Sequence, residues 1–281
     1  MVKFLRISIG ILLFLAFFVE IGSLVGSYRF NQAVKREVQA LYENVENKHQ
    51  VVSEEELEGL PDPVQTWLRK AQVLGRERIV SVRAVQDVHL RLEPDKPWMP
   101  AQAEQYFRTG EPGFIWKAKI KAAPLFYIAG RDKYIDGHGN MLIKVMSLFP
   151  IADATGPEID QGTLLRYLAE IIWFPTAALC DYINWEQIDA TSAQATMDYQ
   201  GVTASGIFTF DDQTGLIRFE AERYRESGGK YRLEPWLVEA GDFKEFGGFV
   251  LPSRGRIIWK PVTGDFEWYR VTVKEIEYNQ V

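Results

Sequence analysis

Cysteine is nearly absent from this 281-residue chain: Cys180 stands alone, so no intrachain disulfide can form. Histidine is almost as scarce. His49, His89 and His138 lie far apart and give no metal-ligand spacing, so neither a zinc site nor any other cofactor is expected. Positive charge is also in short supply. The net charge is −6, which leaves no basic footprint for nucleic acid. The motifs of common enzymes are missing too: no G-x-S-x-G elbow, no P-loop, no G-x-G-x-x-G and no H-E-x-x-H. Nothing in these absences argues for an enzyme.

What the chain has in quantity is aromatic and apolar residues. Seventeen Phe, 12 Tyr and 8 Trp favour strands, broad apolar faces and bulky cavity walls. The first 27 residues hold Lys3 and Arg6, then an apolar run from Ile7 to Val19 that resumes after Glu20. That run suits a signal-peptide core. Counted on to Val25 it suits a membrane span, and the helical spacing of Val34, Val38, Leu41 and Val45 favours an uncleaved anchor. The basic start places the N-terminus inside and the bulk of the chain on the extracytoplasmic side of the cell membrane.

Residues 28–77 read as a juxtamembrane stretch with short helices. Ser53-Glu54-Glu55-Glu56 has the form of a capping box, and Asp62-Pro63 marks a second helix start with Val64, Trp67, Leu68 and Ala71 as its apolar stripe. From residue 78 the period changes to 2. Val80, Val82, Ala84, Val88, Leu90 and Leu92 share one face of a strand, and Phe114, Trp116, Ala118 and Ile120 one face of another. Alternation recurs near 99–107, 125–135, 141–147, 192–200, 205–211, 215–225, 247–251, 254–260 and 265–278. Turn signals separate these runs at 136–139, 211–215 and 227–229. About ten strands, with one helical insertion at 160–181, predict an α+β chain. An N-terminal transmembrane helix precedes one large, strongly curved antiparallel sheet over 78–281, an unclosed half-barrel with helices packed on its concave face.

Within the insertion, LLRYLAEIIWFP is apolar except for Arg166 and Glu170. Arg before Glu at i,i+4 is the weaker orientation for an isolated helix, so tertiary partners are expected. The pair reads as a narrow solvated stripe, as a buried ion pair pinning helix to sheet, as a polar anchor for a headgroup or carboxylate inside an apolar pocket, or as a catalytic acid/base pair. Gln105 shares the parity of inward residues on its strand, and Arg223 that of Ile217, Phe219 and Ala221, which would let it meet Glu170. Trp116 and Trp173 are expected in the cavity wall. Asp132, Asp136 and His138 form an Asp–His grouping that a hairpin turn also explains. Glu158 and Asp160 suit a helix N-terminus.

The blocks WMPAQAEQYF, GRDKYIDGHGNM, GPEIDQGTLLRYLAEIIWFP and GIFTFDDQTGLIRFEAERYR together resemble a large bacterial family of unknown function whose members carry an N-terminal hydrophobic segment. The resemblance covers roughly residues 58–279, and RYLAExxWFP is its most specific part. It implies no activity. The closing segment GFVLPSRGRIIWKPVTGDFEWYRVTVKEIEYN is similar to the last strands of the periplasmic lipoprotein-carrier (Lol-type half-barrel) superfamily, which implies an unclosed antiparallel half-barrel over a hydrophobic concavity. The expected function is binding of a lipid or acyl ligand by a membrane-anchored protein. An envelope scaffold or sensor working through protein partners, and a carboxylate-based hydrolase, are the alternatives.

Overall fold

The computed structural model describes residues 2–43, 45–46, 48–211 and 216–280; the side chains of 2–13 and 15–17 lie outside that description. Among the described residues the chain forms one 13-stranded antiparallel sheet, where about ten strands were expected. Helix α1 (Val2–Tyr42) and helix α2 (Asp62–Lys70) come first. Six strands follow: β1 (Ser81–Leu90), β2 (Met99–Arg108), β3 (Gly113–Ala123), β4 (Phe126–Ile135), β5 (His138–Val145) and β6 (Phe149–Ala154). Helix α3 (Pro157–Glu170) and two 3₁₀ turns (Ile171–Trp173 and Pro175–Leu179) make the insertion. Seven more strands complete the sheet: β7 (Ile183–Gln187), β8 (Ser192–Tyr199), β9 (Val202–Asp211), β10 (Leu216–Ser227), β11 (Lys230–Phe246), β12 (Phe249–Trp259) and β13 (Phe266–Tyr278).

The sheet runs β6-β5-β4-β3-β2-β1-β13-β12-β11-β10-β9-β8-β7. Its centre is therefore the pairing of the first strand with the last. Its two edges, β6 and β7, are neighbours in sequence, joined through α3. Both edge strands are short, and β6 carries Pro150, features that blunt an open edge against further pairing. Helix α3 packs against β4, β5, β8, β9 and β10, so it bridges the gap between the two arms.

Turn chemistry fixes the hairpins. Asp136 and Gly137 both have positive φ between β4 and β5, as do Gly228 and Gly229 between β10 and β11, the geometry of two-residue hairpin turns. The Asp136–His138 grouping is thus a turn. The expected turn at 211–215 lies, but for Asp211, outside the described residues. At 53–56 half of the capping box forms, the Ser53 N–H donating to Glu56 Oε2 at 2.8 Å, but only turns follow.

Not every helix packs on the concave face. Phe30, Val34 and Leu41 of α1 are buried against Ile115 and Ala129, on the convex side of β3 and β4. The α1 helix ends at Tyr42, so Val45 falls beyond the stripe. Among the described residues no helix is long and apolar enough to cross a membrane. Of the expected span, which runs from Ile7 to Val25, the side chains of 7–13 and 15–17 lie outside those described.

Contact between α3 and the sheet is tight at Gly139 on β5. A Cβ there would overlap Thr163 Oγ1 and stand 2.7 Å from the Ile159 carbonyl oxygen, while the Gly139 N–H donates to Asp160 Oδ1 at 2.7 Å. Helix backbone cannot yield as a flexible side chain would. Gly139→Ala is expected to cost about 1–3 kcal/mol through overpacking, read as a lower denaturation midpoint at unchanged m-value.

Candidate functional site

The inward faces of both arms and the underside of α3 enclose a cavity of about 280 Å³, just below the range usual for ligand pockets, roughly 300–1,000 Å³. Leu90, Met99, Ile120, Ile128 and Ile143 line one side, and Trp236, Val238, Ile257 and Val271 the other. Leu92 and Ile151, 68% and 61% exposed, mark its mouth at the rim of the half-barrel. A wider depression of about 380 Å³ beside α2, lined by Trp67 and Phe210 among others, holds no buried charge.

At the inner end of the cavity, α3 presents Arg166 and Glu170. Their side chains are 14% and 13% exposed, and Arg166 Nε donates to Glu170 Oε1 at 3.0 Å. Tertiary partners complete the pair, as its unfavourable helix orientation requires. Arg166 Nη1 donates to Asp132 Oδ2 of β4 at 2.8 Å, and the guanidinium lies over the rings of Phe114 and Trp116, 5.1 and 5.2 Å from their centroids. Burial disfavours the Arg166 charge, but Glu170 and Asp132 outweigh it and push its pKa up. For Glu170 burial wins. Its pKa is raised although Arg166 and Gln105 pull it down.

A chain of amides carries this network into the sheet. Gln105, fully buried, donates from Nε2 to Glu170 Oε2 at 2.6 Å; Gln86 Nε2 donates to Gln105 Oε1 at 3.1 Å; and Trp116 Nε1 donates to Gln86 Oε1 at 3.3 Å. Charge-assisted and fully satisfied, such a network rigidifies the wall it sits in.

Arg223 of β10 lies across the cavity. Its Nε donates to the Gly162 carbonyl at 3.3 Å, and its guanidinium covers Trp236 at 4.8 Å. It does not meet Glu170: among the described residues no carboxylate is in ion-pair range of Arg223. Burial and the charge of Arg166 lower its pKa to about 10.

Five of the six residues expected at the site, Arg166, Glu170, Trp173, Trp116 and Arg223, line the cavity, and Gln105 supports Glu170 from behind. Trp173 is tied down by its Nε1, which donates to the Pro252 carbonyl at 3.0 Å. Sequence reading missed Asp132 as the second partner of Arg166, and missed Gln86. Gln86 shares the parity of Ala84 and Val88, so strand alternation held the signal. His138 instead sits 3.7 Å from Asp160, at the start of α3. Among the described residues no three His, Cys, Asp or Glu converge as metal ligands.

Residues 50–271 match the family described as Family of unknown function (DUF6544), and the chain belongs to it. Comparison with curated proteins finds no match. Among solved structures the chain is similar to a DUF1329 family protein from Desulfovibrio piger, at 10% identity and TM-score 0.45, covering 78% of this chain and 95% of that one. It is similar to a LolA superfamily protein from Nitrosomonas europaea, at 13% identity and TM-score 0.41, covering 78% and 94%. It is also similar to an outer membrane lipoprotein-sorting protein domain from Vibrio parahaemolyticus, at 9% identity and TM-score 0.37, covering 71% and 86%.

Proposed function

We propose that this protein binds an acyl ligand, the hydrocarbon part of a lipid, in the half-barrel cavity while its N-terminal segment holds it at the outer side of a membrane. The observation that carries the reading is the cavity: apolar walls from both arms of the sheet, an open mouth at the rim, and charged groups gathered at the inner end. A scaffold acting through partners alone has no use for an apolar interior left open. The volume favours a single hydrocarbon chain over a bulky multi-chain lipid. Each methylene taken from water would contribute about 0.8 kcal/mol, so affinity should climb with chain length until the cavity is full. The apolar run Ile7–Val19 behind Lys3 and Arg6 supports the membrane location and its polarity.

Gly130 gives a direct test. It lines the cavity, and a Cβ there meets Trp116 and Ile120 at 3.5 and 4.0 Å, ordinary contact distances, so Gly130→Leu adds bulk to the cavity without a backbone clash. Native mass spectrometry of the full chain with added long-chain fatty acid should show one bound molecule for the wild type and none for the variant. Equal uptake by both, or by neither, would move the search to protein partners.

A further inference from the structure

Resting on the acyl-binding reading, we infer that Arg223 is the receptor for a negatively charged head. The ligand is then a single-chain anionic amphiphile, a long-chain carboxylate in the simplest case, with its head at Arg223 and its tail on the apolar wall of the cavity.

The argument begins with the two guanidinium groups in the cavity wall. Arg166 is ion-paired to both Glu170 and Asp132 and stacked on two rings. A ligand anion approaching it would have to displace a carboxylate that covalent structure returns to the same place. Arg223 also lies over two rings, Trp236 and Trp259, but its pairing differs: it donates to one backbone carbonyl, it has no carboxylate partner among the described residues, and it lies near a second positive charge. A guanidinium is charged at any physiological pH and offers five donors in a planar fork suited to a carboxylate. Arg223 therefore retains donors that the fold does not use.

The surroundings favour such a contact. Trp236, the ring that Arg223 covers, is 2% exposed and lines the cavity, so a head at Arg223 would sit against an apolar wall where its attraction to the guanidinium is little screened. Arg166, Glu170 and Asp132 are held in their own contacts, and Arg223 stands across the cavity from them. A cationic head would meet Arg223 unfavourably and find both acids already taken. A neutral carbonyl can accept one N–H, as Gly162 does, but a carboxylate matches both the charge and the planar fork.

Arg223 is held against α3 at Gly162, and Trp236, Val238 and Ile257 follow it along the cavity wall. A carboxylate at Arg223 thus leaves its chain to lie on those apolar side chains.

The test compares two probes of equal chain length, a long-chain fatty acid and the corresponding fatty alcohol, titrated into the full wild-type chain and into Arg223→Met. The variant keeps most of the aliphatic stem and loses the guanidinium and its charge. The wild type should prefer the acid by about tenfold or more, the range for one hydrogen bond to a charged group. Arg223→Met should bind the alcohol as before and the acid no better than the alcohol. Arg223→Lys, which restores a charge without the fork, should recover part of the preference. Equal affinity of the wild type for both probes overturns the assignment, and that result does not depend on any variant folding. So does an acid preference that survives in Arg223→Met. Failure of the wild type to bind either probe is a different outcome: it removes the acyl-binding reading itself and this assignment with it.

Discussion

Replacing Arg166 by leucine is expected to destabilise the fold by about 3–5 kcal/mol at neutral pH, the usual result of removing one partner from a buried ion pair. Asp132 is what makes the loss structural. Without Arg166, two largely buried carboxylates face each other at the inner end of the cavity with no cation in contact. The pH profile separates this cause from simple loss of packing. Burial already raises the Glu170 pKa in the native protein, and Arg166 is the leading group opposing it. Removing Arg166 raises it further. A carboxyl whose folded-state pKa is raised takes up a proton on folding, so stability falls as pH rises from the ordinary carboxylate value through the raised one. The deficit of Arg166→Leu should therefore be largest near neutrality and shrink on acidification. Urea titrations of both proteins across that range would decide it. A deficit independent of pH would assign the loss to packing over Phe114 and Trp116 instead.

Phe174→Ala should have an effect of similar size for an unrelated reason. Phe174 is fully buried between the two 3₁₀ turns, with its ring centroid 4.5 Å from Phe107 and 5.3 Å from Tyr167. Truncating a buried Phe typically costs about 3–5 kcal/mol, part transfer free energy and part cavity. The surroundings here have little freedom to collapse. Phe174 precedes Pro175, which keeps it out of the helical region at φ −143° and ψ 68°, and Tyr167 is fixed by its hydroxyl donating to the Arg108 carbonyl at 3.1 Å. The loss would fall where α3 is riveted to the sheet, so proteolysis within 157–179 should accelerate along with global unfolding. Wild-type stability in Phe174→Ala would mean that the charged network alone holds the helix.

How much of this was legible depended on where strand parity stays regular. On β10 it does, and Arg223 was placed inward by counting from Ile217. On β13 it does not. Extra residues at Trp268 and Lys274 shift the register against β12 and β1, so the inward set changes phase twice along one strand. The β11 strand was invisible for another reason. Pro235 and Gly241-Asp242 read as turn residues, yet the strand runs through them, with positive φ at Asp242. Likewise Pro252-Ser253 divides β12 into two runs in sequence, although it is one strand. The short edges β6 and β7 offered too few residues to alternate. As for the site, pattern revealed which side chains point inward, but not their pairing. The Asp132–Arg166 bond spans 34 residues and the gap between α3 and β4, a distance no local spacing encodes.

The central pairing of β1 with β13 has a consequence for how the protein is made. Val80 N–H donates to Asn279 Oδ1 across 199 residues, so the seam of the sheet consists of its most distant contacts. During synthesis each arm can zip locally, hairpin by hairpin, from β1 out to β6 and from β7 back to β12, with low contact order. The two arms cannot be welded until the last strand emerges. A chain cut before Phe266 would lose the keystone and not an edge, leaving two curved half-sheets with their apolar inner faces open. Such a fragment should be far more prone to aggregate than one trimmed by an equal length at β6.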